Sequence, residues 1–241
     1  MTKALILCAH RTMTLPTFGS IMNLMSTTAD WRVLVEAGDA LISRVRSIAV
    51  SRWLREFPGD EAFLMVDDDF QFTPEAAEAI VNLAIEKRSI AAGVTPLRSG
   101  HYTAIVPLNG EREMWLAPDV EPFEIKWAGG ALAYHRDVFV RMAKTLPLLH
   151  KNDTISSFWP FFMPSIHTMA DGREIYLSED YACHERAREL GFKVWVQPAA
   201  QIGHLSEVMT TPQNMPLVHQ AIYGRSNGTA SANTQSTLLT A

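Results

Sequence analysis

The chain has 241 residues, 47% of them hydrophobic, which supplies the core of one large α/β domain or two small ones and excludes global disorder. Its net charge of −5 gives no general attraction to nucleic acid, and its two cysteines, Cys8 and Cys183, read as buried or half-buried thiols of a reducing compartment rather than a disulfide framework. No apolar stretch reaches the ~20 residues a membrane span needs, and the apolar start runs into His10-Arg11 without a cleavage pattern, so a cytoplasmic location is expected.

Residues 4–9 read as a buried strand, 18–25 as a helical segment and 31–35 as a short strand. A helix is expected over 41–57, with Ile42, Val45, Ile48, Ala49 and Trp53 on one face and Arg44, Arg46, Arg52 and Arg55 elsewhere around it. Pro58-Gly59-Asp60 stops it, and 62–66 is the next strand. Thr73-Pro74-Glu75 carries a cap, a first-position proline and a dipole-compatible carboxylate, and so opens a helix to about Lys87. Residues 90–95 form a further strand. Strand and helix alternating at this spacing predict a mainly parallel sheet with helices on its faces. After Pro96 the pattern predicts a hairpin of 101–106 with 112–116 across Asn109-Gly110. A small-residue strand over 129–134 then leads into a helix from Arg136. The aromatic-rich stretch 147–172 has no period and reads as a mobile or acceptor-facing loop, 179–190 as a helix ended by Gly191, and 193–196 as a short strand. The Ser/Thr/Asn/Gly-rich tail 224–241 is expected to be disordered, outside a folded domain of residues 1–223.

The chemistry is concentrated in a few places. Asp67-Asp68-Asp69 follows the apolar run 62–66, placing three like charges at the carboxyl edge of the sheet, where open α/β folds bind ligands. Such a cluster suits a divalent cation carrying a phosphorylated substrate, although acidic turns between strand and helix are also common. Glu179 and Asp180 begin a helix, so either is a candidate general base or a plain cap. His204, after a short strand, is a candidate metal ligand. Arg46 is a candidate diphosphate contact, with a solvated helix face as the plain alternative. Gly129-Gly130 would let a sugar or backbone approach closely, or mark a packing bulge.

Taken in order, these pieces resemble the GT-A-fold glycosyltransferases, family-2-like members in particular, and are similar to small phage and bacterial proteins of that kind. The strand ending in Asp67-Asp68-Asp69 resembles the DxD motif. The helix around Arg46 resembles the one preceding that motif, and Trp127 to Leu132 resembles the glycine-bearing acceptor-side strand. Glu179-Asp180 and Gly203-His204 resemble the ED motif and the later metal-binding histidine. The resemblance spans roughly residues 4–207. It implies a GT-A, Rossmann-like α/β fold with a small antiparallel acceptor-side hairpin. It also implies transfer of a sugar from a nucleoside-diphosphate sugar, UDP-linked above all, to an acceptor hydroxyl with inversion. Asp69 and His204 would hold Mn2+ or Mg2+, and Asp67 the metal or the ribose. Asp68 would lie close by. Ala9, His10 and Arg11 would border the base, and Arg46 would face the donor. Asp180 would be the base, with Glu179 orienting the acceptor or sharing that part. Two departures stand out: Ser47 replaces the family's asparagine after the arginine, and the Q-x-x-R-W element of processive synthases is missing. The acceptor reads as a surface glycan or a hydroxymethylated pyrimidine in DNA. For DNA, Arg136, Arg141, Lys144 and Lys151 could form a basic patch and the loop 158–162 could stack on a flipped base, although that loop also reads as core. A nucleotidyltransferase and a non-catalytic nucleotide-sugar-binding module are the rival readings, and the N-terminal loop lacks the glycines of the former.

Overall fold

The computed structural model describes residues 2–9, 12–98, 104–108, 116–150 and 157–206. Strand β1 (Thr2–Ala9) leads into α1 (Leu15–Thr27), β2 (Trp31–Ala37), α2 (Ile42–Glu56), β3 (Asp60–Asp67), β4 (Phe70–Gln71), α3 (Pro74–Lys87) and β5 (Ile90–Val94). There follow β6 (Ile105–Val106), β7 (Phe123–Ile125), β8 (Trp127–Ala128), β9 (Leu132–His135), α4 (Arg136–Met142), β10 (Leu149–His150) and β11 (Ser157–Phe158). The last elements are β12 (Ser165–Thr168), β13 (Glu174–Leu177), α5 (Glu179–Glu189), β14 (Val194–Gln201) and β15 (Gly203–His204).

Seven strands form one sheet in the order β2-β1-β3-β9-β5-β14-β7. β1, β2, β3, β5 and β14 run in one direction, and β9 and β7 oppose them. Alternation along the strands feeds two cores. On one face Ala4, Ile6, Cys8, Phe63 and Met65 meet Val45, Ala49 and Trp53 of α2, Phe139 of α4 and Ala187 of α5. On the other, Leu5, Leu7, Leu64 and Val66 meet Ile21 and Leu24 of α1 and Ala77, Ile80 and Ala84 of α3. The mainly parallel sheet with helices on both faces is therefore as expected. The Thr73 cap also forms, its hydroxyl accepting from the Ala76 N–H at 3.2 Å.

Three local expectations need correction. In α2, Ile42 is exposed and Ile48 only half-buried, whereas Arg46, Ser47 and Ser51 are buried. The helix is sandwiched between the sheet and the chain around residue 160. There the Ser47 and Ser51 hydroxyls accept from the Phe162 and Trp159 N–H groups at 3.1 and 2.9 Å. The loop 158–162 is thus core: Phe161 and Phe162 are fully buried and Phe158 nearly so. Phe161→Ala should destabilise the fold by about 3–5 kcal/mol in urea melts, as a buried phenyl does. An acceptor-stacking ring would cost little stability.

The second correction concerns the hairpins. The expected hairpin of 101–106 with 112–116 lies largely outside the described residues, within which Ile105–Val106 pairs antiparallel with Trp127–Ala128. An antiparallel hairpin does occur in the stretch read as loop, β12 with β13. Asp171-Gly172 turns it, with Gly172 at φ 83° and the Asp171 carboxylate accepting from the Arg173 N–H at 3.1 Å. The third is the basic patch. Arg136 is spent internally, donating to the Leu54, Phe57 and Asp60 carbonyls with its guanidinium over Trp53. Arg141 and Lys144 remain exposed, and Lys151 lies outside the described residues, as do His10, Arg11 and the tail 224–241.

Candidate active site

β3 delivers the aspartates. Its central residues are buried on both faces, and the chain leaves the sheet at Asp67, so the next carboxylates emerge at the carboxyl edge. Each then goes a different way. Asp67 turns toward α2 and accepts two hydrogen bonds from Arg46 Nη2, at 2.9 and 3.0 Å. The Asp68 carbonyl accepts from the Thr14 N–H at 2.9 Å and the Thr17 hydroxyl at 3.0 Å, which ties the start of α1 to the site. Asp69 is nearly buried and faces His204, its Oδ2 lying 3.4 Å from His204 Nε2.

His204 arrives there because β15 pairs antiparallel with β4, setting His204 opposite Phe70. The imidazole packs edge-on against that ring, and the Leu205 N–H donates to the Asp69 carbonyl at 2.9 Å. Pro96 O, which can only accept, is 2.8 Å from Nδ1, so Nδ1 donates to it, while Nε2 lies 3.3 Å from Arg98 Nε and 3.4 Å from the Asp69 carboxylate. A backbone-anchored imidazole beside a carboxylate fits a divalent cation. Among the described residues no third His, Cys, Asp or Glu joins these two, and Asp67 is bonded to Arg46.

Arg46 is the hub of the other half. It is 3% exposed, and Nη1 donates to Asp180 Oδ1 and, at 3.3 Å, to Glu179 Oε1. With Nη2 on Asp67, one guanidinium serves three carboxylates drawn from β3 and the first turn of α5. One positive charge cannot balance three negative ones. Burial accordingly pushes the Asp180 carboxyl up to about 7 against the pull of Arg46, with the Glu179 and Asp67 charges adding to the rise. The helix start is thus no plain cap. Ser178 makes no side-chain cap bond, and Asp180 points away from the backbone to Arg46. Cys8 lies in the field of Arg46 and Asp67, and its thiol is pushed up to about 12 by burial, so it stays protonated.

Gly129 and Gly130 bring the acceptor-side strand to this edge. A Cβ on Gly129 would stand 3.5 Å from Asp180 Oδ2, and one on Gly130, at φ 98°, would collide with Thr95 at 2.5 Å. Thr95 Oγ1 accepts from the Ala131 N–H at 3.3 Å, and the Gly129 N–H donates to Ala104 O at 2.8 Å. A cleft of about 260 Å³ results, lined among others by Arg46, Asp67, Gly129, Gly130, Asp180 and His204. Ala9 ends β1, nearly buried, on the edge where Asp67 ends β3.

The fold resembles that of A197 from STIV. The two structures superpose with a TM-score of 0.54 at 13% identity, over 86% of this chain and 87% of that one. GalNAc-T7 with UDP, GalNAc and Mn2+ aligns with a TM-score of 0.49 at 13% identity, over 94% of this chain and 46% of that one. The sequence matches no protein-family model and no curated protein. The likeness is one of fold: a mixed α/β sheet of the GT-A class.

Sequence reasoning missed two residues at this site. Arg98 reaches both Asp69 and His204 from the turn after Thr95. His184 is fully buried, and burial first, then Arg46, pushes its imidazole down to about 3. It stays neutral, accepting from the Ala128 N–H at 3.2 Å on Nδ1 and meeting the Tyr134 hydroxyl at 3.1 Å on Nε2. That bridge fixes β8, and with it the glycines, against α5. The signal for His184 in the sequence was helical spacing, four residues beyond Asp180.

Proposed function

We propose that the protein is a metal-dependent, inverting glycosyltransferase that moves a sugar from a nucleoside-diphosphate sugar, UDP-linked in the first instance, to an acceptor hydroxyl. The observation that carries this reading is one cleft lined by both His204, paired with Asp69, and Asp180, a buried carboxyl raised toward neutrality. Asp69 and His204 would hold Mn2+ or Mg2+, which when bound offsets charge on the leaving diphosphate. Asp180 takes the proton of the acceptor hydroxyl, and a carboxyl near 7 suits a base working at neutral pH. Glu179 orients the acceptor or shares that part. Asp67 binds the ribose or the metal once a donor draws it from Arg46, with Asp68 alongside, and Ala9, His10 and Arg11 border the base. Gly129 and Gly130 leave room for the sugar. The acceptor is better sought among glycans than in DNA, because the aromatic loop and Arg136 are both used inside the fold. A cytoplasmic setting is part of the proposal; no helix of the described residues is long and apolar enough to cross a membrane.

The test is hydrolysis or transfer from a panel of UDP-, GDP- and TDP-sugars with Mn2+. Activity should fall by roughly 10²-fold or more in Asp69→Ala and His204→Ala, the scale lost with one charge-stabilising group. Full activity in both variants, or consumption of a nucleoside triphosphate instead, would overturn it. NMR of the product should show an inverted anomeric centre, and retention removes Asp180 from the base role.

A further inference from the structure

The large sheet ends at β2, and among the described residues no strand pairs with its outer side. β2 keeps one unbroken register with β1 from Trp31 to Ala37 and carries no proline or lysine, the usual guards of an open edge. Its side chains alternate. Leu34 joins the core under α2 and Trp31 the core under α1, so Val33 and Val35 share the α1 face, and both are exposed. α1 continues this apolar surface: Leu15, Phe18, Met22 and Met25 recur on one flank at helical spacing, all exposed. Ser20, on the opposite flank, accepts from the Phe72 N–H at 3.0 Å, which turns that side toward the start of α3 and the exposed flank toward β2. α1 contains no Asp, Glu, Lys or Arg. It therefore lacks the basic rim with which an amphipathic helix holds an anionic lipid surface, and the chain's net charge of −5 adds to the mismatch.

We propose that β2 and α1 form the contact surface for a second copy of this chain, with the two β2 strands pairing antiparallel about a two-fold axis at Leu34. The register centred on Leu34 is the one that pairs all seven residues of the strand while keeping like faces of the two sheets together. It sets Val33 opposite Val35 of the partner subunit on the α1 face, and Arg32 opposite Glu36 of the partner subunit on the other face. A shift of two residues either way sets Arg32 or Glu36 opposite an apolar leucine instead. Within one copy Arg32 already meets Asp60 at 3.1 Å and Glu36 meets Arg52 at 3.8 Å, so the cross-strand pair extends an existing charge network. The same operation lays the two α1 flanks side by side over the joint, where Phe18, Met22 and Met25 cover the valines. None of these residues lines the cleft, and the proposal stands apart from the metal-dependent reading above.

Sedimentation velocity of the full chain over a micromolar concentration series tests this, and should show a dimer. Val33→Lys and, separately, Met22→Glu should weaken it by roughly 30-fold or more, the scale of a residue lost from the centre of an interface. Both side chains are exposed in a single copy, and far-UV circular dichroism confirms that each variant is folded. Cross-linking reads the register. An oxidised mixture of Val33→Cys and Val35→Cys proteins should give a disulfide-linked dimer, and neither protein alone should, since the native Cys8 and Cys183 are buried. A wild type that stays monomeric overturns the proposal, as does a dimer that neither Val33→Lys nor Met22→Glu weakens. Failure of the mixture to cross-link, or cross-linking of Val33→Cys alone, overturns the register and the proposal with it. A monomer that instead co-floats with phosphatidylserine vesicles, and loses this in Met22→Glu, assigns the surface to lipid and overturns it as well.

Discussion

Asp180→Asn is expected to lower sugar transfer by about 10²–10⁴-fold, the usual contribution of a general base, with donor and Mn2+ binding preserved. In the wild type, kcat should rise with pH through about 7, where the Asp180 carboxyl ionises. That rise should vanish in the variant. The same substitution should stabilise the fold, in a pH-dependent way. Below the ordinary aspartate value of 3.8 the carboxyl is protonated folded or unfolded, and the two proteins should melt alike. Between that value and about 7 the folded wild type holds a proton the unfolded chain has lost, so its stability falls as pH rises. The advantage of Asp180→Asn should therefore grow over this window and level off above it. Each 1 kcal/mol gained would appear as roughly 2–4 °C in Tm for a chain of this size. Arg46 keeps Asp67 and Glu179 as partners, so no buried charge is stranded. A variant that loses activity without gaining stability at pH 8 would contradict the view that Asp180 is held ionised at a cost.

Arg46→Ala should be the most destabilising single change at the site, by about 3–5 kcal/mol at pH 8, because it leaves carboxylates buried without their counter-charge. The deficit should shrink as pH falls and those carboxyls take up protons. Urea melts of Arg46→Ala, Arg46→Lys and Arg46→Ala/Asp180→Asn at pH 5 and pH 8 would show it. Lysine should recover part of the loss, since it restores charge but cannot bond Asp67 and Asp180 together. The double variant should recover part as well, and more at pH 8 than at pH 5. A deficit independent of pH would mean that Arg46 acts through packing alone.

These expectations show where the sequence was readable. The edge position of Asp67-Asp68-Asp69 followed from an apolar run ending in carboxylates, and α3 from a cap and a proline. Each depends on neighbours in the chain. The role of Arg46 does not. Helical spacing left it among four arginines, and the resemblance that singled it out set it against the donor rather than among three carboxylates. Its burial is decided by Asp67 and by Glu179 and Asp180, 21 to 134 positions away. Arg98 was invisible for the same reason, since its partner His204 is 106 positions distant. Ile42 and Ile48 were misplaced because the pattern assumes one buried face, whereas α2 is covered on two. The β12–β13 hairpin was hidden by short, half-exposed strands, although Asp171-Gly172 was a usable turn signal.

The reversed direction of β9 has a geometric consequence. Parallel strands finish at the ligand-bearing rim, whereas β9, running against β3 and β5, begins there. The residues just ahead of it, Gly129 and Gly130, therefore occupy the rim between the end of β3 and the end of β5. Two strand spacings separate those neighbours, about 10 Å, which is the width of a sugar ring with its hydroxyls. A strand laid parallel in the place of β9 would have delivered its last side chains there. Laid antiparallel, it contributes a bare peptide floor, so the chain's path through the sheet, and no later carving of side chains, makes the room.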